Sequence, residues 1–209
     1  MHDKVLPPGS RDLLAELESL SAPVLAGWTL AGGTGLALQL GHRVSDDFDL
    51  FRTDRFDPDE LLGHLQGSGP VELLQLDHRT LTVLASGVKV SFFSVPDPFL
   101  FPKLEYSFFA LAEVRDIALM KLAAIASRGS RKDFVDLFVI LRGGPTLAEY
   151  LSWLPRKYGE ERVNTYHVLK SLTWFEDAED EPMPRMLEPF DWDECKAFFV
   201  REAHAIVLP

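Results

Sequence analysis

Asp47 and Asp49 stand two apart in the run Ser45-Asp46-Asp47-Phe48-Asp49-Leu50-Phe51. On a strand, residues two apart share a face, so both carboxylates point the same way. Their neighbours Phe48, Leu50 and Phe51 are apolar, and acids in such a setting call for a cation. Paired carboxylates suit Mg²⁺, which takes one or two protein carboxylates together with substrate phosphates. Upstream, the glycine pair of Gly32-Gly33-Thr34-Gly35 lets the backbone approach a phosphate closely. The chemistry this combination suits is phosphoryl or nucleotidyl transfer.

The glycine run by itself is ambiguous. It fails the Gly-x-Gly-x-x-Gly pattern and lacks the Lys-Ser/Thr of a P-loop, so it also reads as a tight strand-to-helix turn. A helix N-terminus followed, one helix later, by a strand carrying Asp-x-Asp is nevertheless one way to set a triphosphate beside its metal. Asp46, out of phase with the pair, is expected to face solvent. Arg43, in Gly41-His42-Arg43-Val44-Ser45, could hold a phosphate or orient Asp47, or be a loop arginine on the surface.

A second group of charges runs from Asp116 through Lys121, Arg128, Lys132 and Asp133 to Asp136. Lys121 and Arg128 are seven apart and share a helix face. Lys132 and Asp136 are spaced for an ion pair within one helix, and Asp133 shares a face with Asp136. Lys121 interrupts an otherwise apolar stretch, Ile117-Ala118-Leu119-Met120 before it and Leu122-Ala123-Ala124-Ile125 after it, which marks it as a candidate functional lysine. Lys89-Val90-Ser91 matters for what it lacks. Two-metal nucleotidyl transfer normally takes a third carboxylate from a neighbouring strand, and Ser91 stands where that acid belongs.

The elements that must position these groups follow from periodicity and punctuation. Leu13, Leu14, Leu17 and Leu20 predict a helix with Ser10 as its N-cap. Trp28 to Leu30 predicts a short strand, Thr34 to Leu40 a helix closed by Gly41, and Phe48 to Phe51 the strand bearing the acids. Asp57-Pro58 opens a helix to about Leu65. Strands are predicted at Val71 to Leu76, Thr80 to Ala85 and Val88 to Ser94. The rest is predicted helical: Ile117 to Ser127, Lys132 to Leu141, Thr146 to Leu154, Glu161 to Phe175 and Trp192 to Val207. The fold class is therefore α+β, a mixed sheet with helices followed by a helical C-terminal part.

At 209 residues the chain allows one domain with a small extension. Arg142-Gly143-Gly144-Pro145 is the clearest linker, and places a core at residues 1–142 and a helical extension at 143–209. With no apolar run of 18 residues and no signal sequence, the chain reads as cytoplasmic and not membrane-bound. The single Cys195 excludes an intramolecular disulfide. Nine acids and one base between Glu176 and Glu194 carry eight of the eleven net negative charges, so the acidity is regional and is expected to mark a solvated loop. No basic block points to broad duplex binding.

Gly32-Gly33-Thr34, Gly41-His42-Arg43-x-Ser45-x-Asp47-Phe48-Asp49-Leu50-Phe51 and Lys121-Leu-Ala-Ala-Ile-x-x-Arg128-x-x-x-Lys132-Asp133-Phe-x-Asp136-Leu137 together resemble the nucleotidyltransferase family of AbiEii/AbiGii-type toxins. The likeness spans residues 10 to 142, and the tail around Trp174-Phe175-x-Asp177 resembles a bacterial subset. The resemblance implies a polymerase-β-like core, a small mixed sheet flanked by helices. It implies Mg²⁺ at Asp47 and Asp49, and nucleotide held at Gly32, Gly33, Thr34, Arg43, Ser45, Lys121 and Arg128. It implies a phosphate-binding role for Lys121 and a base at Asp133 or Asp136.

The expected activity is transfer of a nucleotide from a nucleoside triphosphate to an RNA or another acceptor hydroxyl, in a toxin paired with an antitoxin. Ser91 keeps a second expectation open: a catalytically weak nucleotide-sensing or partner-binding module. Small-molecule adenylylation is a third.

Overall fold

A computed structural model of the chain describes residues 1–20, 25–67 and 69–207. It forms two compact units, Met1–Glu113 and Val114–Pro209.

The first unit holds a seven-stranded mixed sheet. Its strands are β1 (Thr29–Leu30), β2 (Phe48–Arg52), β3 (Val71–Asp77), β4 (Thr80–Ala85), β5 (Val88–Ser94), β6 (Leu104–Tyr106) and β7 (Phe109–Leu111). Their spatial order is β3-β4-β5-β2-β1-β7-β6. β2 runs parallel to β5 and antiparallel to β1, and β1 runs parallel to β7. Helices α1 (Pro8–Leu20), α2 (Gly32–Leu40) and α3 (Pro58–Gln66) belong to the same unit. Phe48, Leu50, Val90, Phe92, Leu81 and Val83 supply the buried face of the central strands. Trp28 is enclosed there, with Phe56 and Phe92 meeting it edge-on at 5.0 Å. Aromatic and β-branched side chains suit such a pleated surface, which explains why these segments are strands.

The second unit is helical: α4 (Val114–Arg128), α5 (Arg131–Leu141), α6 (Leu147–Tyr158), α7 (Thr165–Ser171), the single turn α8 (Glu176–Glu179) and α9 (Trp192–Ala205). Phe134 is fully buried, with the rings of Phe175, Trp192 and Phe199 around it at 5.1–6.0 Å. Thr146 and Glu149 form a reciprocal capping box that starts α6.

The α+β class stands as expected, and the expected elements occur in their expected order, but α1 opens at Pro8, so Ser10 lies within it and is not its N-cap. The units do not divide at Arg142–Gly143, because α4 and α5 pack with the C-terminal helices. Two strands, β6 and β7, are additions; three residues each are too short to show an alternation. The helix expected over 161–175 is confined to Thr165–Ser171, because the Asn164 side chain accepts from the His167 amide at 2.9 Å and starts the helix there. Nor is the acidic stretch simply solvated. A Glu181 carboxylate oxygen accepts from the Ser130 hydroxyl at 2.6 Å and the Arg131 amide at 2.8 Å, bringing negative charge to the N-terminus of α5.

Candidate active site

β1 delivers the chain into α2 beside the strand that carries the acids. The Ala31 amide donates to the Asp49 carbonyl at 3.0 Å, and α2 begins at the next residue. No side chain caps α2 and no acid lies in its first turn. The first-turn amides of Gly32, Gly33 and Thr34 have no carbonyl one turn back to bond, so the positive end of the helix is presented at the acidic strand.

Gly32 has φ +62°, in the left-handed region, and a Cβ there would sit 2.6 Å from Asp49 Oδ2. Gly33 lies against the Arg43 guanidinium and Ser45 Oγ, so a Cβ there meets both. The Thr34 and Ser45 hydroxyls are bonded at 2.9 Å, and Thr34 also reaches the Asp47 carbonyl. Thr34, Arg43 and Ser45 are all buried, and the Arg43 guanidinium donates to the Val44 carbonyl at 3.0 Å. Arg43 therefore backs the glycine turn and is not a surface arginine. Gly32, Gly33, Thr34, Arg43, Ser45, Asp47 and Asp49 are thus brought into one neighbourhood.

Asp47 and Asp49 alternate with buried Phe48 and Leu50, are themselves half-buried, and Asp46 is exposed as its phase requires. In the parallel ladder Asp49 stands opposite Ser91. Ser91 is buried, its hydroxyl 3.3 Å from that of Thr82 on β4. Two residues before Ser91, on the same face, Lys89 places Nζ 2.7 Å from Asp47 Oδ2. That hydrogen bond, with the charges of Asp47, Asp49 and Asp46, outweighs partial burial and raises the Lys89 ammonium above its usual range. Lys89 was missed as a site residue in the sequence; the signal was its spacing of two from Ser91 on a strand.

The donors here are two carboxylates with no imidazole or thiolate, a hard-oxygen set that fits Mg²⁺. Among the described residues no group of three or more His, Cys, Asp or Glu forms a closed metal centre. An open site that leaves positions for phosphate oxygens is what substrate-assisted Mg²⁺ binding uses.

The second unit holds its own charged cluster. Lys121 Nζ lies 2.7 Å from Asp133 Oδ1 and 2.6 Å from Asp136 Oδ2, and both acids are completely buried. Arg128 Nη2 reaches Asp133 Oδ2 at 2.9 Å. The face shared by Lys121 and Arg128 thus meets Asp133. Desolvation works against the Lys121 ammonium, but Asp136 and Asp133 more than offset it, and the net shift is upward. Asp136 therefore takes Lys121 as its partner, whereas Lys132, the expected one, is exposed. A further buried pair, Lys157 with Asp116 at 2.8 Å, joins α6 to α4. Nothing in the spacing of those residues announces it.

No family model matches the chain. It is 36% identical over 197 residues to aq_aa25, an uncharacterised protein of Aquifex aeolicus (strain VF5), covering 92% of this chain and 93% of that one. Among solved structures it is similar to MenT4, a nucleotidyltransferase toxin of Mycobacterium tuberculosis H37Rv, with a TM-score of 0.60, 18% identity, and 94% and 81% of the two chains covered. It is also similar to JHP933 from Helicobacter pylori, with a TM-score of 0.52, 14% identity, and 95% and 92% covered. The chain therefore belongs to the family of the Aquifex aeolicus protein, and its fold is the nucleotidyltransferase fold of MenT4.

Proposed function

We propose that the chain is a Mg²⁺-dependent nucleotidyltransferase that moves a nucleotide from a nucleoside triphosphate to an RNA or another acceptor hydroxyl. The observation that carries this reading is the meeting of Asp49 with Gly32 at the uncapped N-terminus of α2, with Asp47 two residues away on the same face. Asp47 and Asp49 would hold Mg²⁺, which supplies charge neutralisation at the triphosphate. The amides of Gly33 and Thr34 bind phosphate oxygens, and Arg43 and Ser45 hold the turn that aims them.

In the reaction the acceptor oxygen bonds to the α-phosphorus, the bond to the bridging oxygen of the β-phosphate breaks, and pyrophosphate leaves. The hydroxyl proton passes to a carboxylate. The resemblance gives that role to Asp133 or Asp136 and charge neutralisation at the pyrophosphate to Lys121 and Arg128; in the structure these four residues form an ion-pair cluster within the second unit, with both acids completely buried. A role as the toxin of a toxin–antitoxin pair belongs to the same proposal.

Calorimetric titration with a nucleoside triphosphate and Mg²⁺ tests the site. The unmodified chain is expected to bind and Asp47→Ala to lose binding; equal binding by both removes this assignment. Transfer of labelled nucleotide to an RNA pool by the unmodified chain, lost in Asp49→Asn, tests the reaction.

A second reading is favoured by Ser91 opposite Asp49 and Lys89 on Asp47: a nucleotide-sensing module with little transfer activity. Binding without label incorporation into RNA or a small-molecule acceptor selects it.

A further inference from the structure

Strand β5 brings a cation, not an acid, to the carboxylate pair. Lys89 Nζ is 2.7 Å from Asp47 Oδ2, and the two side chains are 42% and 38% exposed. The pair is open to water, so it is weak enough to separate. Opposite Asp49 stands the neutral side chain of Ser91, whose hydroxyl accepts from that of Thr82. An ammonium is a compact, strongly hydrated point charge on a flexible stem. It can neutralise a carboxylate that a divalent cation also needs, and it can leave for a phosphate.

Resting on the reading of Asp47 and Asp49 as a metal-and-triphosphate site, we propose that Lys89 is a resident counter-ion that a divalent cation must displace from Asp47, so that the cation enters with the nucleoside triphosphate and not ahead of it. A metal ion arriving alone loses the Lys89–Asp47 attraction and leaves the ammonium beside a second cation. A metal–triphosphate brings its own anion, and the freed Lys89 moves onto a phosphate oxygen. No covalent step is involved. The consequence is coupling: nucleotide raises metal affinity by more than the metal's own ligands account for.

The test is Mn²⁺ titration, followed by the electron paramagnetic resonance of free Mn²⁺, with and without a nucleoside triphosphate. It is run on the unmodified chain and on Lys89→Met, Lys89→Gln and Lys89→Arg, each checked for folding by circular dichroism. Lys89→Met and Lys89→Gln are expected to bind Mn²⁺ alone about two- to fivefold more tightly, the factor equivalent to a solvent-exposed charge pair. The nucleotide-dependent gain in affinity is expected to shrink in both, and Lys89→Arg is expected to behave as the unmodified chain. Unchanged or weaker Mn²⁺ binding by both neutral variants overturns the proposal. Asp47→Asn separates the two levels: if it binds Mn²⁺ as well as the unmodified chain, the metal site itself is misplaced. If it loses binding while Lys89→Met is unchanged, only the role of Lys89 fails.

Discussion

Asp49 and Ser91 face each other across the parallel ladder of β2 and β5. The strand position from which a third carboxylate would reach the acidic pair therefore exists, is buried, and carries a hydroxyl bonded to Thr82. Placing an acid there moves a charge into a site built for a neutral group. Ser91→Asp is expected to cost more than the roughly 1–3 kcal/mol of a buried neutral polar group without its partners, because the new group is charged. Mn²⁺ is expected to return part of that loss, because a ligand that binds only the folded chain stabilises it by mass action. Thermal unfolding of both proteins with and without Mn²⁺ checks this; a variant whose melting temperature ignores the ion contradicts the placement of Ser91 at the cation site.

Gly32 is the residue that lets Asp49 approach the start of α2. With φ at +62°, an alanine pays about 1–2 kcal/mol for the left-handed backbone alone. Its Cβ would also meet Asp49 Oδ2 at 2.6 Å, so the carboxylate must turn away. Gly32→Ala is thus expected to lower both the unfolding midpoint and the affinity for Mg²⁺ with a nucleoside triphosphate. Urea unfolding and calorimetry read the two effects separately. Loss of stability with full affinity would show that Asp49 is not a ligand.

Lys121 is held by two buried acids, and removing it leaves both without their shared cation. Lys121→Met is expected to destabilise by about 3–5 kcal/mol, the usual cost of breaking a buried pair from one side. Its ammonium is raised above 10.5 in the folded chain. A raised group contributes stability fully below its unfolded value and loses that contribution as pH rises through the folded value. The energetic gap between the unmodified chain and Lys121→Met is therefore expected to stay constant up to about pH 10, below the ordinary lysine value. Urea midpoints measured from pH 7 to 10 test this, and a gap that closes before pH 10 contradicts it.

Cys195 is buried between α9 and α5, its thiol 3.9 Å from the Phe134 carbonyl. Desolvation pushes the thiol well above its ordinary 9.0, so the folded chain keeps it protonated where the unfolded chain ionises it. This contribution is present below pH 9.0 and declines as pH rises beyond it. The stability advantage over Cys195→Ala is expected to narrow between pH 8 and 10. With one cysteine in the chain, a thiol reagent reports directly on exposure. Labelling is expected to be slow in buffer and complete in denaturant; rapid labelling in buffer would show that the interior around Phe134 is open.

Local patterning made much of this protein legible. The alternation of Asp47 and Asp49 with Phe48 and Leu50 marked the strand and the face of the acids, because side-chain direction on a strand depends only on parity. Gly41 marked the end of α2, since a left-handed residue without a Cβ penalty is a local requirement, whereas the start, expected at Thr34, lies at Gly32. Ser91 was recognised as a missing acid for the same reason of parity.

What spacing could not carry was partnership across long separations. Lys121 was singled out for its apolar surroundings, but its two acids came from the next helix, and Asp136 was matched by spacing to Lys132 instead. The join of Lys157 to Asp116, and of Glu181 to the start of α5, depends on how helices pack. The sequence by itself determined the strand, the turn and the two carboxylates, all set by backbone geometry within a few residues. Only the tertiary structure decided that Lys89 neutralises Asp47, because that contact exists only once β5 aligns beside β2, and register between distant strands is a property of the assembled sheet.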